Sequence, residues 1–135
     1  MLQGKVYIAG GWFSEEQEKA LSEIENYADT MCLHVFKPRS DNLGSDGCDW
    51  DSIFAVNIAE IETSDIIIAS TVGKDMGTLW ECGYAYALNK PILYYTPGIS
   101  KPNLMLAMSG KVFNTIVDMD KYIRTGVYNE PKDIE

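Results

Sequence analysis

The apolar positions of this chain fall into two alternating rhythms. Short continuous runs at Lys5–Ala9, Cys32–Phe36, Asp65–Ser70, Ile92–Tyr95 and Val112–Val117 read as strands. Between them apolar residues recur at helical spacing. Ala20, Leu21, Ile24, Tyr27, Ala28 and Met31 predict a helix over about 15–30. Ile53, Phe54, Ile58 and Ile61, with Asn57 on or beside the same face, predict a second from Trp50 to Glu62. A third is expected from near Thr78 to Asn89, where Pro91 prevents extension. Ser14-Glu15-Glu16-Gln17 has the form of a capping box, with Gln17 reaching back to the first turn. Pro97-Gly98 marks a turn, a short helix opens around Lys101–Met105, and the tail from about Asp118 is polar and only weakly periodic.

Strands alternating with helices over short connections call for a parallel sheet covered on both faces. The expected fold class is therefore α/β: a single-domain, flavodoxin-like, three-layer fold with a five-stranded parallel sheet spanning residues 1–135. No internal repeat or low-complexity segment interrupts it. A chain of 135 residues is large enough to bury roughly 68% of its unfolded surface around one core.

Charge narrows the partners. With 11 Lys+Arg against 20 Asp+Glu, the net charge of -9 disfavours nucleic acid and anionic membranes. No apolar run is long enough to span a bilayer, and the start lacks the pattern of a signal peptide. Cys32, Cys48 and Cys82 are widely spaced without a CxxC pair, so reduced thiols and a cytoplasmic location are expected. The polar stretch Arg39–Gly47 reads as a mobile loop over the site. Asp41, Asp46, Asp49 and Asp51 lack the spacing of a calcium loop, so no metal is expected.

The most informative stretch is Asp75-Met76-Gly77-Thr78-Leu79-Trp80-Glu81-Cys82-Gly83-Tyr84-Ala85. It follows the apolar strand Ile66–Ala69 and opens a helix, which puts two carboxylates at the carboxyl edge of the sheet, where open α/β folds keep their ligands. Paired carboxylates suit glycosyl transfer, in which a carboxylate attacks an anomeric carbon through an oxocarbenium-like transition state. Amides of the helix start would keep Glu81 ionised at neutral pH. Thr78-Leu79-Trp80-Glu81 equally matches a capping box in which Glu81 satisfies the Thr78 amide, and Asp75 before a helix is often only a dipole-friendly acid. Trp12 and Phe13 fit a core as well as a stacking platform, Tyr7 fits strand packing, and His34, the only histidine, completes no triad. The Rossmann fingerprint and the Walker A loop are both absent.

Three segments together resemble the nucleoside 2-deoxyribosyltransferase family. They are Val6-Tyr7-Ile8-Ala9-Gly10-Gly11-Trp12-Phe13-Ser14, the stretch from Asp75 to Ala85, and Pro102-Asn103-Leu104-Met105. They lie in the family's order and cover most of the chain. The resemblance implies an enzyme of nucleotide salvage that transfers a 2-deoxyribosyl group from a deoxynucleoside to a free nucleobase, without metal or organic cofactor. By the resemblance Glu81 is the nucleophile, Tyr7 holds its carboxylate in line, and Asp75 accepts a sugar hydroxyl. Gly10, Trp12 and Phe13 would form the base-binding turn, with Asn57 and Gly77 lining the site. Asn103 and Met105 would reach the sugar from a neighbouring subunit of a homo-oligomer, built of dimer units that extend up to a hexamer.

Two positions qualify the resemblance. Family members often carry an Asp where Asn57 falls, proposed to assist proton transfer to the base; an amide is no general acid, which turns attention to Asp51 or another loop acid. In the related nucleotide N-glycosidases a Ser commonly stands at the position of Asp75 and helps hold a 5′-phosphate. A carboxylate there would repel phosphate, so Asp75 points to unphosphorylated nucleosides. The rival readings are an N-glycoside hydrolase on the same scaffold, a non-catalytic nucleotide-binding module, and a flavodoxin-like redox protein.

Overall fold

The computed structural model describes residues 2–42 and 49–135, with the side chains of residues 2, 3, 32 and 33 excepted. Five strands, β1 (Leu2–Ala9), β2 (Cys32–Phe36), β3 (Ile66–Ser70), β4 (Ile92–Tyr95) and β5 (Lys111–Phe113), form one sheet in the order β2-β1-β3-β4-β5. Every pairing is parallel. The expected flavodoxin-like α/β architecture is thus present.

Side-chain alternation along the strands divides the core. Val6, Ile8, Ile68, Leu93, Tyr95 and Phe113 face helices α1 (Glu15–Met31) and α6 (Ile116–Thr125). Tyr7, Ala9, Ile67, Ala69, Ile92 and Tyr94 face the other way, toward α3 (Trp50–Thr63), α4 (Met76–Ala87) and α5 (Leu104–Ser109). Both faces are covered, so the strands are apolar at successive positions rather than at alternate ones. This alternation carries Tyr7 to the α4 side of the sheet, away from α1.

Three elements depart from the sequence expectation. The run Val112–Val117 is not one strand: β5 stops at Phe113, and Thr115 caps α6 by accepting the Asp118 N–H at 3.1 Å. The tail read as weakly periodic from about Asp118 therefore begins inside a helix that runs from Ile116 to Thr125. Its Ile116, Met119, Tyr122 and Ile123 pack on the core, and Gly126 closes it at φ 76°. The stretch after β2 begins not as a loop but as one helical turn, α2 (Pro38–Asp41). Pro38 suits a first helical turn, and Arg39 ties it to α1 through Glu25 at 2.7 Å. The rest of that stretch, Leu43 to Cys48 with Asp46, lies outside the described residues. Finally, α3 buries only Ile61, and Phe54 remains 59% exposed.

Among the described residues no helix is long and apolar enough to cross a membrane. Met119 is fully buried whereas Val117, two residues earlier, is 75% exposed. Met119→Ala should therefore cost about 2–5 kcal/mol by urea denaturation and Val117→Ala less than about 0.5. Equal losses would show that α6 is not packed on the sheet as described.

Candidate active site

The site is assembled at the carboxyl edge of the sheet from β1, the turn after it, and the loop between β3 and α4. Helix α4 starts earlier than its Thr78 suggests. Asp75 is its cap: Oδ2 accepts the Thr78 N–H at 3.0 Å and the Thr78 hydroxyl at 2.8 Å. The reading of Asp75 as a helix-start acid is thus correct as far as it goes. Both cap bonds fall on one oxygen, which leaves Oδ1 with acceptor capacity of its own.

With the cap at Asp75, the capping-box reading of Thr78 and Glu81 is overturned. Glu81 lies in the second turn of α4, and its half-buried carboxylate accepts a hydrogen bond from the hydroxyl of Tyr7. Tyr7 is fully buried and stacks on Phe36 of β2, ring centroids 5.6 Å apart. The pairing of Tyr7 with Phe36 in the parallel register places the two rings side by side on one face.

Burial changes the chemistry of this pair. Loss of solvent raises Glu81 to a pKa of about 7, partly offset by the Tyr7 hydrogen bond and reinforced by the negative charge of Asp75. The helix amides do not keep it fully ionised at neutral pH, as its place in the helix had suggested, because it sits beyond the first turn. Desolvation and the neighbouring carboxylate also push the Tyr7 phenol far above its ordinary value, so Tyr7 is a fixed proton donor. Cys82, beside Glu81, is pushed up to about 12 and stays a thiol.

The turn after β1 presses on the same loop. A side chain at Gly11 would place its Cβ 3.1 Å from both Cβ and Cγ of Asp75. Gly10 is half-buried against Leu21 and Ser70, and Gly77 is exposed, close to the Asp75 carboxylate. Trp12 and Phe13 are not core residues: they are 38% and 77% exposed and stack on each other at 5.4 Å. Asn57 is half-buried on α3, and its Oδ1 accepts the side-chain amide of Asn42 at 3.0 Å. Asp51 is exposed in the first turn of the same helix.

Asn103 and Met105 are placed elsewhere. Asn103 caps α5 through the Met105 N–H at 2.8 Å, and both are exposed. They line a cleft of about 1000 Å³ whose wall is another flank of α4, with Leu79, Cys82, Gly83 and Tyr86; Glu81 and Tyr7 are not among its lining residues. One chain therefore does not bring Asn103 and Met105 to the Glu81–Tyr7 pair. Among the described residues no group of three or more His, Cys, Asp or Glu side chains could hold a metal ion. His34 is exposed on β2, apart from the site.

Phe36, Asn42 and Gln17 belong to this region and carried no functional signal in the sequence. Phe36 was visible only as a strand residue; its importance follows from register. Gln17 was visible as half of a capping box, but its side chain does not return to the Ser14 amide. It accepts the Phe13 N–H at 2.9 Å and donates to the Val72 carbonyl at 3.2 Å.

A flavodoxin-like sheet with a desolvated Glu–Tyr pair at its carboxyl edge defines an α/β protein with a built site. The chain belongs to the nucleoside 2-deoxyribosyltransferase family, whose profile matches residues 6–116. Its structure is similar to a 2-deoxyribosyltransferase of Bacillus psychrosaccharolyticus, with a TM-score of 0.80 and 29% identity over 94% of this chain and 98% of that one. A 2-desoxiribosyltransferase from Leishmania mexicana shares the fold at TM-score 0.64 and 21% identity, covering 91% and 99% of the two chains. A CMP N-glycosidase of Clostridium botulinum shares it at TM-score 0.58 and 15% identity, covering 89% and 98%. Comparison with curated proteins gives no match. Membership of the family supports an enzyme of nucleoside deoxyribosyl chemistry, with nucleosides and bases as substrates, and the two more distant structures share its fold.

The raised pKa makes Glu81 a source of pH-dependent instability. Unfolded, it titrates at about 4.3; folded, at about 7, so stability present below the lower value is lost as pH rises through the upper one. Glu81→Gln should be more stable than the parent at pH 8 by about 2 kcal/mol, after discounting for partial exposure, with a smaller gain at pH 5. Urea denaturation at both pH values measures this; a gain independent of pH would contradict it.

Proposed function

We propose that the protein transfers the 2-deoxyribosyl group of a 2′-deoxynucleoside to a free purine or pyrimidine base. The observation that carries this reading is the buried Tyr7 hydroxyl holding the Glu81 carboxylate at the sheet's ligand edge. Ionised Glu81 attacks C1′ from the face opposite the base. The C1′–N bond breaks, the base departs with the bonding electrons and takes up a proton from solvent water, and a glycosyl ester remains on Glu81. A ring nitrogen of the incoming base then attacks C1′, loses its proton and frees the carboxylate. Two inversions give net retention. No step transfers electrons, and the balance requires no cofactor.

The other residues take supporting parts. Tyr7 fixes the attacking oxygen. Trp12 and Phe13, exposed and stacked, offer an aromatic edge for the base beside Gly10. Oδ1 of Asp75 accepts a sugar hydroxyl, and the charge of that carboxylate next to Glu81 disfavours a 5′-phosphate. Asn57, with its oxygen engaged by Asn42, presents an amide donor toward the base, which binds but does not protonate it. Gly77 leaves the mouth beside Asp75 open. Asn103 and Met105 would complete the site of a second copy in a homo-oligomer. The exposed Leu79, Tyr86 and Met108 around their cleft supply the apolar surface such a contact needs. The whole chain would act as one such domain, in cytoplasmic nucleotide salvage.

Incubation of deoxyinosine with adenine, followed by chromatography, tests the reading. Deoxyadenosine should form, Glu81→Ala should lower its rate by more than about a thousandfold, and Tyr7→Phe by about tenfold to a hundredfold. In the parent, kcat/KM should rise as pH increases through about 7, as Glu81 ionises. Base release without exchange would identify a hydrolase instead. Unchanged exchange in Glu81→Ala would remove Glu81 from the mechanism.

A further inference from the structure

Gln17 occupies an unusual place for a helix-start residue. It is only 7% exposed, although its side chain is polar and it lies in the first turn of α1. The side-chain amide is used at both ends. Oε1 accepts from the backbone N–H of Phe13 at 2.9 Å, and Nε2 donates to the backbone carbonyl of Val72 at 3.2 Å. Its own backbone N–H is held by the Ser14 hydroxyl at 3.2 Å, which fixes where the side chain starts.

The two segments it joins are the two lips of the site. Phe13 belongs to the turn after β1, and Val72 begins the short 3-10 turn Val72–Lys74 that leads into the Asp75 cap of α4. Both lips are glycine where they meet the amide. A Cβ at Gly11 would lie 2.7 Å from Nε2, and one at Gly73, where φ is 77°, would lie 2.3 Å from it. Those are distances real Cβ atoms do not adopt, so the loops are shaped to close around this one side chain.

We infer that Gln17 is a positioning residue that sets the spacing between the Trp12–Phe13 edge and the Asp75 loop. An isolated backbone N–H and an isolated backbone carbonyl, one on each lip, can be joined by a single amide because it both accepts and donates. A carboxylate of the same shape satisfies the N–H and repels the carbonyl; a protonated carboxyl regains the donor. A thioether satisfies neither. Losing either bond releases one lip from the other, and a misplacement of about 1 Å at a site can lower rates about a hundredfold. Gln17 itself would touch no substrate atom.

The inference rests on the proposed base exchange, so its test has one arm that needs activity and one that does not. Gln17→Glu and Gln17→Met are compared with the parent for exchange from pH 8 to pH 5, each rate divided by the parent's at the same pH. Both variants should fall about tenfold to a hundredfold in kcat/KM at pH 8. The Glu variant's ratio should climb toward one as pH falls and its carboxyl takes up a proton, while the Met variant's ratio stays flat. In the second arm, hydrogen exchange followed by NMR should show the Phe13 amide protected in the parent and in Gln17→Glu but fast in Gln17→Met. Equal losses in both variants at every pH, or a Phe13 amide equally protected in all three proteins, would overturn the inference. If the parent exchanges no base, the proposed function fails, and the amide measurement alone still decides whether Gln17 ties the two lips.

Discussion

A phenol with no water around it and a carboxyl with little of it satisfy one another across the gap between β1 and α4. Neither group has a good alternative: Tyr7 is fully enclosed, and Glu81 has left the helix start where backbone amides would have supported its charge. The bond between them ties a central strand to the helix that carries the proposed chemistry. It also explains why Phe36 matters, since a ring stacked on Tyr7 fixes the angle from which the hydroxyl points. The neighbouring Asp75 keeps the pair under electrostatic tension, raising the free energy of the ionised Glu81 without removing the Tyr7 donor. A carboxylate held this way gives up little solvation when it approaches a developing cation, which is what an oxocarbenium-like transition state rewards.

Much of this was legible in the letters. The five apolar runs located all five strands, because a parallel sheet covered on both sides leaves its strands apolar at successive positions. The first helix and the carboxyl-edge position of Asp75 and Glu81 followed from periodicity and from the order of strand, loop and helix. What could not be read was which of two competing caps would start α4. Asp75 and Thr78 each begin an acceptable motif, and the choice depends on how the loop after β3 packs against the turn after β1. That choice decides whether Glu81 serves as a cap or is available to Tyr7.

Other misses have the same origin. Val112–Val117 looked like a single strand because Asn114 and Thr115 interrupt it without a glycine or proline. Thr115 acts as a cap only because Met119 finds the core behind it. Trp12 and Phe13 fitted a core as well as a platform by composition, and they lie exposed where the chain leaves β1 and bends into α1. Gln17 illustrates the limit of a local motif: three residues of separation predicted a partner at Ser14, while the amide found one at Phe13, just beyond it, and another at Val72, on a loop distant in sequence. In each case the local pattern was real and the tertiary partner was not encoded nearby.

Asp75 carries a consequence for how this protein can evolve. The residue ends one element, begins the next, and stands at the proposed ligand edge, so the stability of α4 and the polarity of the site are inherited together. Serine or asparagine could take over the cap, because either can accept the Thr78 N–H, and the helix would survive the exchange. The negative charge would not. A single substitution at this position would therefore change the charge of the proposed ligand edge while leaving the scaffold intact, so the polarity of that edge can drift without the fold being rebuilt.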